Sequence, residues 1–506
     1  MRHAFVRVAM AIVLAMGIGR LLAAHELTGE VIDAVTGKVI PGAAVTTGDH
    51  AVSTDHYGRF RVDEAGNVLR VRAPGYSRKD VAVESLSGSP IEIRLAPFTP
   101  RAIYLSVYGI GNAKLRNAAL ELIARTPLNA VVIDVKGDHG MVAYPSAVPL
   151  ATATGAQHVI TIPDLRALAG MLHRRGIYAI ARIVVCKDDL LATARPDLAM
   201  RRNDGGIYRD REGVHWVDPA RREVRDYDIA IAVEAAAAGF DEIQFDYLRF
   251  PDDNNVQLPE ADTQEARVNA IGAFLDAARA QLLRHNVFLA VDVFGYVCWN
   301  PKDMRIGQLL EDILPRVDYL SPMLYPSGFT SGIPDCTNPV AHPYKIVHDS
   351  LARVLERTHA SPRRIRPWLQ AFRDYAFDQR QFDADEIGEQ IRAAEDAGTN
   401  GWMLWNSRNV YSDQGLTRKK WPQSPRSGSG EQDGPLRRRG ETLRTASRWP
   451  AETSTVHAAA NSLCQCTASM PSRAAPHGRG KPSGSTASVS SRWNTASNCA
   501  ASDASK

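Results

Sequence analysis

The stretch Asp241-Glu-Ile-Gln-Phe-Asp-Tyr-Leu-Arg-Phe-Pro251 reads as a β-strand that presents a carboxylate, Asp246, and a guanidinium, Arg249, before a proline stops it. Phe245 and Tyr247 fall on one face and Gln244, Asp246 and Leu248 on the other, the period of two expected of a strand. An alanine-rich helical run precedes it across Gly239. In a chain that repeats strand and helix, the C-terminal ends of the strands are where reacting groups collect. The plainer alternative is an Asp246 that pairs with Arg249 or caps the next element, and the surrounding chain decides between the two.

Working outward, β-rich apolar runs alternate with helical stretches from residue 102 onward. Strands are predicted at 103–109, 130–136, 178–185, 242–250, 288–294, 319–325, 366–372 and 401–406. Helices are predicted at 112–125, 162–175, 222–238, 264–284, 343–358 and 384–397, with a shorter one at 304–314. Eight strands with seven helices between them, over about 300 residues, is the pattern of a (β/α)8 barrel. An open doubly wound sheet is disfavoured, because Gly109-Ile-Gly111 lacks the third glycine of a phosphate-binding turn.

Polar residues inside or at the ends of these apolar strands are costly unless they line a cleft or pair with one another. Asp134 and Lys136 close the second strand, Arg182 lies in the third, and Asp246 and Arg249 close the fourth. Asp292 closes the fifth, Tyr325 the sixth, Gln370 the seventh, and Trp405 with Asn406 the eighth. Arg182 and Lys136 are equally well read as counter-charges to the carboxylates. Asp246 and Asp292, on consecutive strands about 4.8 Å apart, are the pair that could do general acid and nucleophilic work. Their spacing suits either outcome of glycoside hydrolysis, and that chemistry requires no cofactor. The aromatic residues Tyr108, Trp216, Tyr247, Tyr296, Trp299, Tyr325 and Trp405 crowd the same end, where rings could stack on sugar faces. Metal-assisted deacetylation is disfavoured, since the strand ends offer carboxylates but no histidine.

The net charge of +4 on 506 residues comes from the ends. Residues 1–24 hold three Arg and no acid, and residues 421–506 hold a surplus of six, leaving about five negative charges on the part between. A nucleic-acid partner is therefore not expected. Residues 1–24, with Arg2 and Arg7 before an apolar run, read as a secretory signal peptide, with no later membrane span expected and a secreted or periplasmic location. Residues 421–506 turn to Ser, Ala, Arg, Gly and Pro without apolar period and are expected to be disordered. Six cysteines do not make a disulfide scaffold or a metal site, although Cys298 and Cys336, in loops after neighbouring strands, could pair.

Residues 25–97 alternate apolar and polar residues in short runs between turns, the pattern of a small all-β sandwich. The motifs Gly29 to Val45, Thr54-Asp-His-Tyr-Gly-Arg-Phe60 and Ala73-Pro-Gly-Tyr76 resemble the carboxypeptidase regulatory-like domain, which implies a spacer or adhesion unit. The barrel segment carries its own resemblance, in His215-Trp-Val-Asp-Pro219, Gly239 to Pro251, Leu289-Ala-Val-Asp-Val-Phe-Gly295 and Tyr319 to Ser327. With Val132-Ile-Asp-Val-Lys136 and Gly401-Trp-Met-Leu-Trp-Asn406, it resembles over about residues 100–410 a bacterial family of secreted barrel proteins grouped with the glycoside hydrolases, distantly similar to amylase-like barrels. That resemblance implies a poly- or oligosaccharide substrate, with Asp246 as nucleophile. The fifth strand offers Asp292 where amylase-like barrels carry a glutamate, so Asp134 and then Glu242 stand as substitutes for the acid. Asp134, Lys136, Arg182, Trp216, Tyr247, Arg249, Tyr325, Gln370, Trp405 and Asn406 are expected to bind substrate. The rival expectation is an envelope polysaccharide-binding protein that kept the barrel and lost turnover.

Overall fold

The computed structural model describes residues 27–63, 66–85, 91–257 and 263–416. The expected signal peptide and the expected disordered tail lie outside the described residues. The first strands are β1 (Leu27–Asp33), β2 (Ala44–Thr47), β3 (His50–Ser53), β4 (Arg59–Val62), β5 (Val68–Arg72), β6 (Lys79–Ala82) and β7 (Ile91–Leu95). They form a three-stranded sheet ordered β4-β1-β7 and a four-stranded one ordered β3-β2-β5-β6. Alternate residues from both sheets, Val31, Val45, Phe60, Val62, Leu69, Val71 and Ile93, share one core, as a sandwich requires.

Next come β8 (Arg101–Leu105), β9 (Ala130–Lys136), β10 (Tyr178–Val184), the two-residue β11 (Arg201–Arg202), β12 (Glu242–Asp246) and the two-residue β13 (Val256–Gln257). The chain continues through β14 (Phe288–Phe294), β15 (Tyr319–Met323), β16 (Trp368–Gln370) and β17 (Trp402–Trp405). Eight of these, all but β11 and β13, close into a parallel barrel ordered β10-β12-β14-β15-β16-β17-β8-β9. The helices Arg222–Ala238 and Pro343–Thr358 have the bounds read from sequence, and Gly239, at φ 108°, ends the first in the left-handed turn that glycine permits. Ala102, Tyr104, Ala130, Val132, Ile180, Trp368 and Met403 fill the barrel interior, while Ile103, Val131, Ile133, Ala181 and Phe245 point outward to the helices.

The strands are shorter than the apolar runs. β12 ends at Asp246, not at 250, because Tyr247 takes φ 51° and breaks the extended backbone. Tyr247 therefore does not share a face with Phe245, whose ring packs edge-on against Phe274 among the outer residues. Similarly, the first strand stops at Leu105, and Val107–Gly111 is already helical with Ser106 as its N-cap.

The small sandwich sits against the N-terminal ends of the barrel strands. Gly75 N donates to Tyr319 Oη at 3.0 Å, Arg78 pairs with Asp241 at 3.0 Å, and Arg363 donates to Tyr76 Oη at 2.9 Å. No helix among the described residues is long and apolar enough to cross a membrane. Cys298 and Cys336 are separate buried thiols and form no disulfide.

Candidate active site

Alternation along each strand brings Tyr104, Asp134, Arg182, Asp246, Asp292 and Trp405 to the C-terminal end of the barrel interior. Arg182 stands level with Asp134 across the β9–β10 ladder, and Asp246 follows Val184 in register. Buried, its guanidinium ties three carboxyl groups together. Nη1 donates to Asp134 Oδ1 at 2.6 Å, Nε and Nη2 both donate to Asp246 Oδ2, and Nε lies 3.9 Å from Asp292 Oδ2. The Tyr104 and Trp405 rings flank the guanidinium at 5.5 and 5.0 Å.

The carboxyl groups differ in their surroundings. Both oxygens of Asp246 accept hydrogen bonds, Oδ2 from Arg182 and Oδ1 from the Tyr247 backbone N–H at 2.6 Å. Asp292 accepts one at Oδ1, from Trp368 Nε1 at 2.8 Å, and its buried Oδ2 accepts none. Burial, and then the charge of Asp246, push the Asp292 carboxyl well above the usual carboxylate range. Asp134 is raised to about 6, by burial first, with Arg182 pulling the other way and Asp138 adding to the rise. Asp246 Oδ2 and Asp292 Oδ2 approach the same nitrogen at 3.0 and 3.9 Å, so they stand within about 7 Å of one another.

These groups open into a pocket bounded by Tyr247, Arg249, Phe294, Tyr296, Met323, Tyr325, Phe329, Tyr375 and Trp405, with Asp138 at its edge. Trp216 lies beneath, edge-on to Tyr247, with Arg249 over its ring at 4.8 Å. The aromatic rim expected from sequence is thus partly assembled. Tyr247, Tyr296, Tyr325 and Trp405 line the pocket, but Tyr108 is exposed on a short helix and Trp299 spends its Nε1–H on Ser350 at 2.9 Å.

Five expected substrate contacts do not line this pocket: Asp134, held by Arg182 and Tyr104, Trp216, which is buried and donates Nε1–H to Asp210 at 3.0 Å, and Lys136, Gln370 and Asn406. Lys136 should share the interior face with Asp134, but the β9–β10 pairing slips by one residue after Arg182, and Lys136 turns aside. Its Nζ sits fully buried between Asp188 and Asp228, at 2.8 Å from each. Gln370 is taken up by Ser327, donating to Oγ at 2.7 Å and accepting from the backbone N at 3.0 Å. Asn406 donates to Ala371 O and Val410 O, joining two loops. Glu242, the last substitute for the acid, is locked at the barrel base by Arg366 and Tyr178.

Tyr104, Trp368 and Asp138 were not singled out from sequence. Tyr104 donates to Asp134 Oδ2, and Trp368 fixes Asp292. Strand parity is the available signal for both, since Tyr104 has the parity of Ala102 and Trp368 that of Arg366 and Gln370. Among the described residues no group of three or more His, Cys, Asp or Glu is placed to hold a metal ion.

Residues 102–411 match the family model described as "Putative glycosyl hydrolase domain". Among solved structures, a hypothetical protein from Ruminiclostridium thermocellum ATCC 27405 is 34% identical, covering 38% of this chain and 97% of its own, with a TM-score of 0.34. The PgaB (BpsB) glycoside hydrolase domain from Bordetella bronchiseptica is 15% identical, over 62% of this chain and 95% of its own, with a TM-score of 0.47. Alpha-L-fucosidase isoenzyme 2 from Paenibacillus thiaminolyticus is 15% identical, over 64% of this chain and 47% of its own, with a TM-score of 0.43. No curated protein matches the chain.

Proposed function

The chain belongs to the glycosyl hydrolase family whose model it matches, and from that membership we propose that it cleaves O-glycosidic bonds of a poly- or oligosaccharide with Asp246 and Asp292 as the reacting carboxyl groups. The observation that carries the assignment is their inequality around one arginine. Asp246 is held at both oxygens, whereas Asp292 keeps one buried oxygen without a hydrogen-bond partner and a carboxyl pushed well above the usual range.

A protonated Asp292 gives its proton to the leaving oxygen as the glycosidic bond breaks, and Asp246 attacks the anomeric carbon. Water then hydrolyses the glycosyl ester, with Asp292 taking the proton back. A separation of at most about 7 Å supports this double displacement. Direct attack by water needs about 6.5–9.5 Å between the carboxyl groups, a range that this bound between the two Oδ2 atoms meets only at its lower edge. Arg182 positions Asp246 and offsets the charge that gathers as Asp292 deprotonates. The same reading takes the N-terminal sandwich as a carboxypeptidase regulatory-like unit of a secreted or periplasmic protein.

A panel of bacterial exopolysaccharides and peptidoglycan, assayed for new reducing ends, tests the proposal. Cleavage of one member by the parent and its loss in Asp246→Asn are expected, since an amide neither attacks nor offsets positive charge. Retention of activity within about tenfold of the parent removes Asp246 from the mechanism.

A further inference from the structure

We propose that the pocket is one end of a longer cleft, running over Tyr375 into a second groove, so that the substrate is a polymeric glycan held across several sugar units; this rests on the hydrolase reading above. The groove lies between the loops that follow β16 and β17 and is bounded by Phe372, Arg373, Tyr375, Phe382, Arg408 and Val410. Tyr375 belongs to both walls. Trp405 lines the pocket and the next residue, Asn406, lines the groove, so the two spaces adjoin at two points.

An aromatic track follows the same line. Tyr325 meets Phe372 edge-on at 5.6 Å, and Phe372 stacks on Tyr375 at 6.0 Å with their planes 7° apart. Flat rings at successive positions match the apolar faces of successive sugars. The floor is formed in advance. Asp374 accepts from Ser327 Oγ at 2.7 Å and from the backbone N–H groups of Ala376, Phe377 and Gln379, and Asn406 ties Ala371 to Val410. Little ordering is left to be done on binding.

A short helix adjoins the groove through Asn409, the residue before Val410. Of the seven large apolar residues exposed among the described residues, Val410 lines the groove and Tyr108 lies on the short helix Val107–Gly111. Gly109 there abuts Asn409, which also accepts from Ser106, and Gly111 abuts Thr161.

The experiment uses the full chain and an oligosaccharide ladder cut from whichever panel glycan binds or is cleaved. kcat/KM is read against chain length, and affinity is read by calorimetry on Asp246→Asn. The parent is expected to gain about tenfold or more in kcat/KM from the shortest to the longest oligomer. Ser407→Trp, which fills the groove, and Tyr375→Ala, which breaks the track, are each expected to erase most of that gain. Cleavage with no dependence on length, or a dependence that both variants leave intact, overturns the cleft alone. Length-dependent binding that both variants weaken, with no glycan cleaved, upholds the cleft and overturns the hydrolase reading. Neither binding nor cleavage of any glycan overturns both.

Discussion

Asp292 is the residue whose surroundings ask most of the fold, because an acid that keeps its proton near neutral pH is a carboxyl group denied water and set beside another charge. Its folded form binds a proton more tightly than its unfolded form, so stability attributable to this group falls as pH rises from the unfolded carboxylate range of about 4 through the raised folded value. Asp292→Asn removes that penalty, and its melting temperature relative to the parent is expected to climb between pH 5 and pH 8. A constant offset across that range would mean that the carboxyl titrates normally. The catalytic counterpart is a rate that declines on the alkaline side as Asp292 loses its proton. Asp292→Asn is expected to abolish kcat/KM for substrates with poor leaving groups, spare much of kcat/KM on an activated aryl glycoside, whose first step needs no proton, and lose the alkaline decline there. Equal loss on both substrate types would give Asp292 a positioning role only. The two carboxyl groups were legible in the sequence because each is a polar residue at the end of an apolar run. Their Arg182 bridge reads from sequence equally as counter-charge or contact, since the reach of a long side chain up the barrel is set by packing and not by spacing.

At the level of strands and helices, periodicity located all eight barrel strands and most helices. It failed where the backbone left its regular path. Tyr247 at φ 51° ends β12 four residues before the run of 242–250 would, and the slip after Arg182 turns Lys136 away from Asp134. Neither departure has a period, so neither could be read from alternation. The Lys136 displacement is testable. A substrate contact would, when replaced, raise KM and leave stability alone, whereas the observed Lys136 holds Asp188 and Asp228 together away from solvent, with Asp228 pushed up to about 7. Lys136→Met strands that acidic pair, at a cost of about 3–5 kcal/mol for a buried pair losing one partner. Over roughly 400 residues at ~2.1 cal/mol/K each, the melting temperature should fall by about 4–6 °C. Full stability with a raised KM would return Lys136 to the site.

Across the whole molecule, the sandwich and the site occupy opposite ends of the barrel, and this separation lets stability be changed without touching chemistry. The sequence announced the sandwich through its turn motifs but held no signal for where it docks, because docking depends on side chains far apart in the chain. Tyr319 is the centre of that contact. Buried at the barrel base, its hydroxyl accepts from the backbone N–H of Gly75 at 3.0 Å and from Asn400 Nδ2 at 3.1 Å. Arg78 to Asp241 and Arg363 to Tyr76 flank it. Tyr319→Phe preserves the ring and deprives two buried donors of their acceptor, costing about 1–3 kcal/mol for each. The variant is expected to melt a few degrees lower while keeping the parental kcat, since Asp246 and Asp292 are held by other residues at the far end. It should also loosen the sandwich more than the barrel, which hydrogen exchange reads as faster exchange in residues 27–85 with the Glu242–Asp246 strand still protected. If instead Tyr319→Phe leaves both stability and exchange unchanged, the sandwich is tethered without being docked. If kcat falls along with stability, the base of the barrel is coupled to the carboxyl pair and the two ends do not act independently.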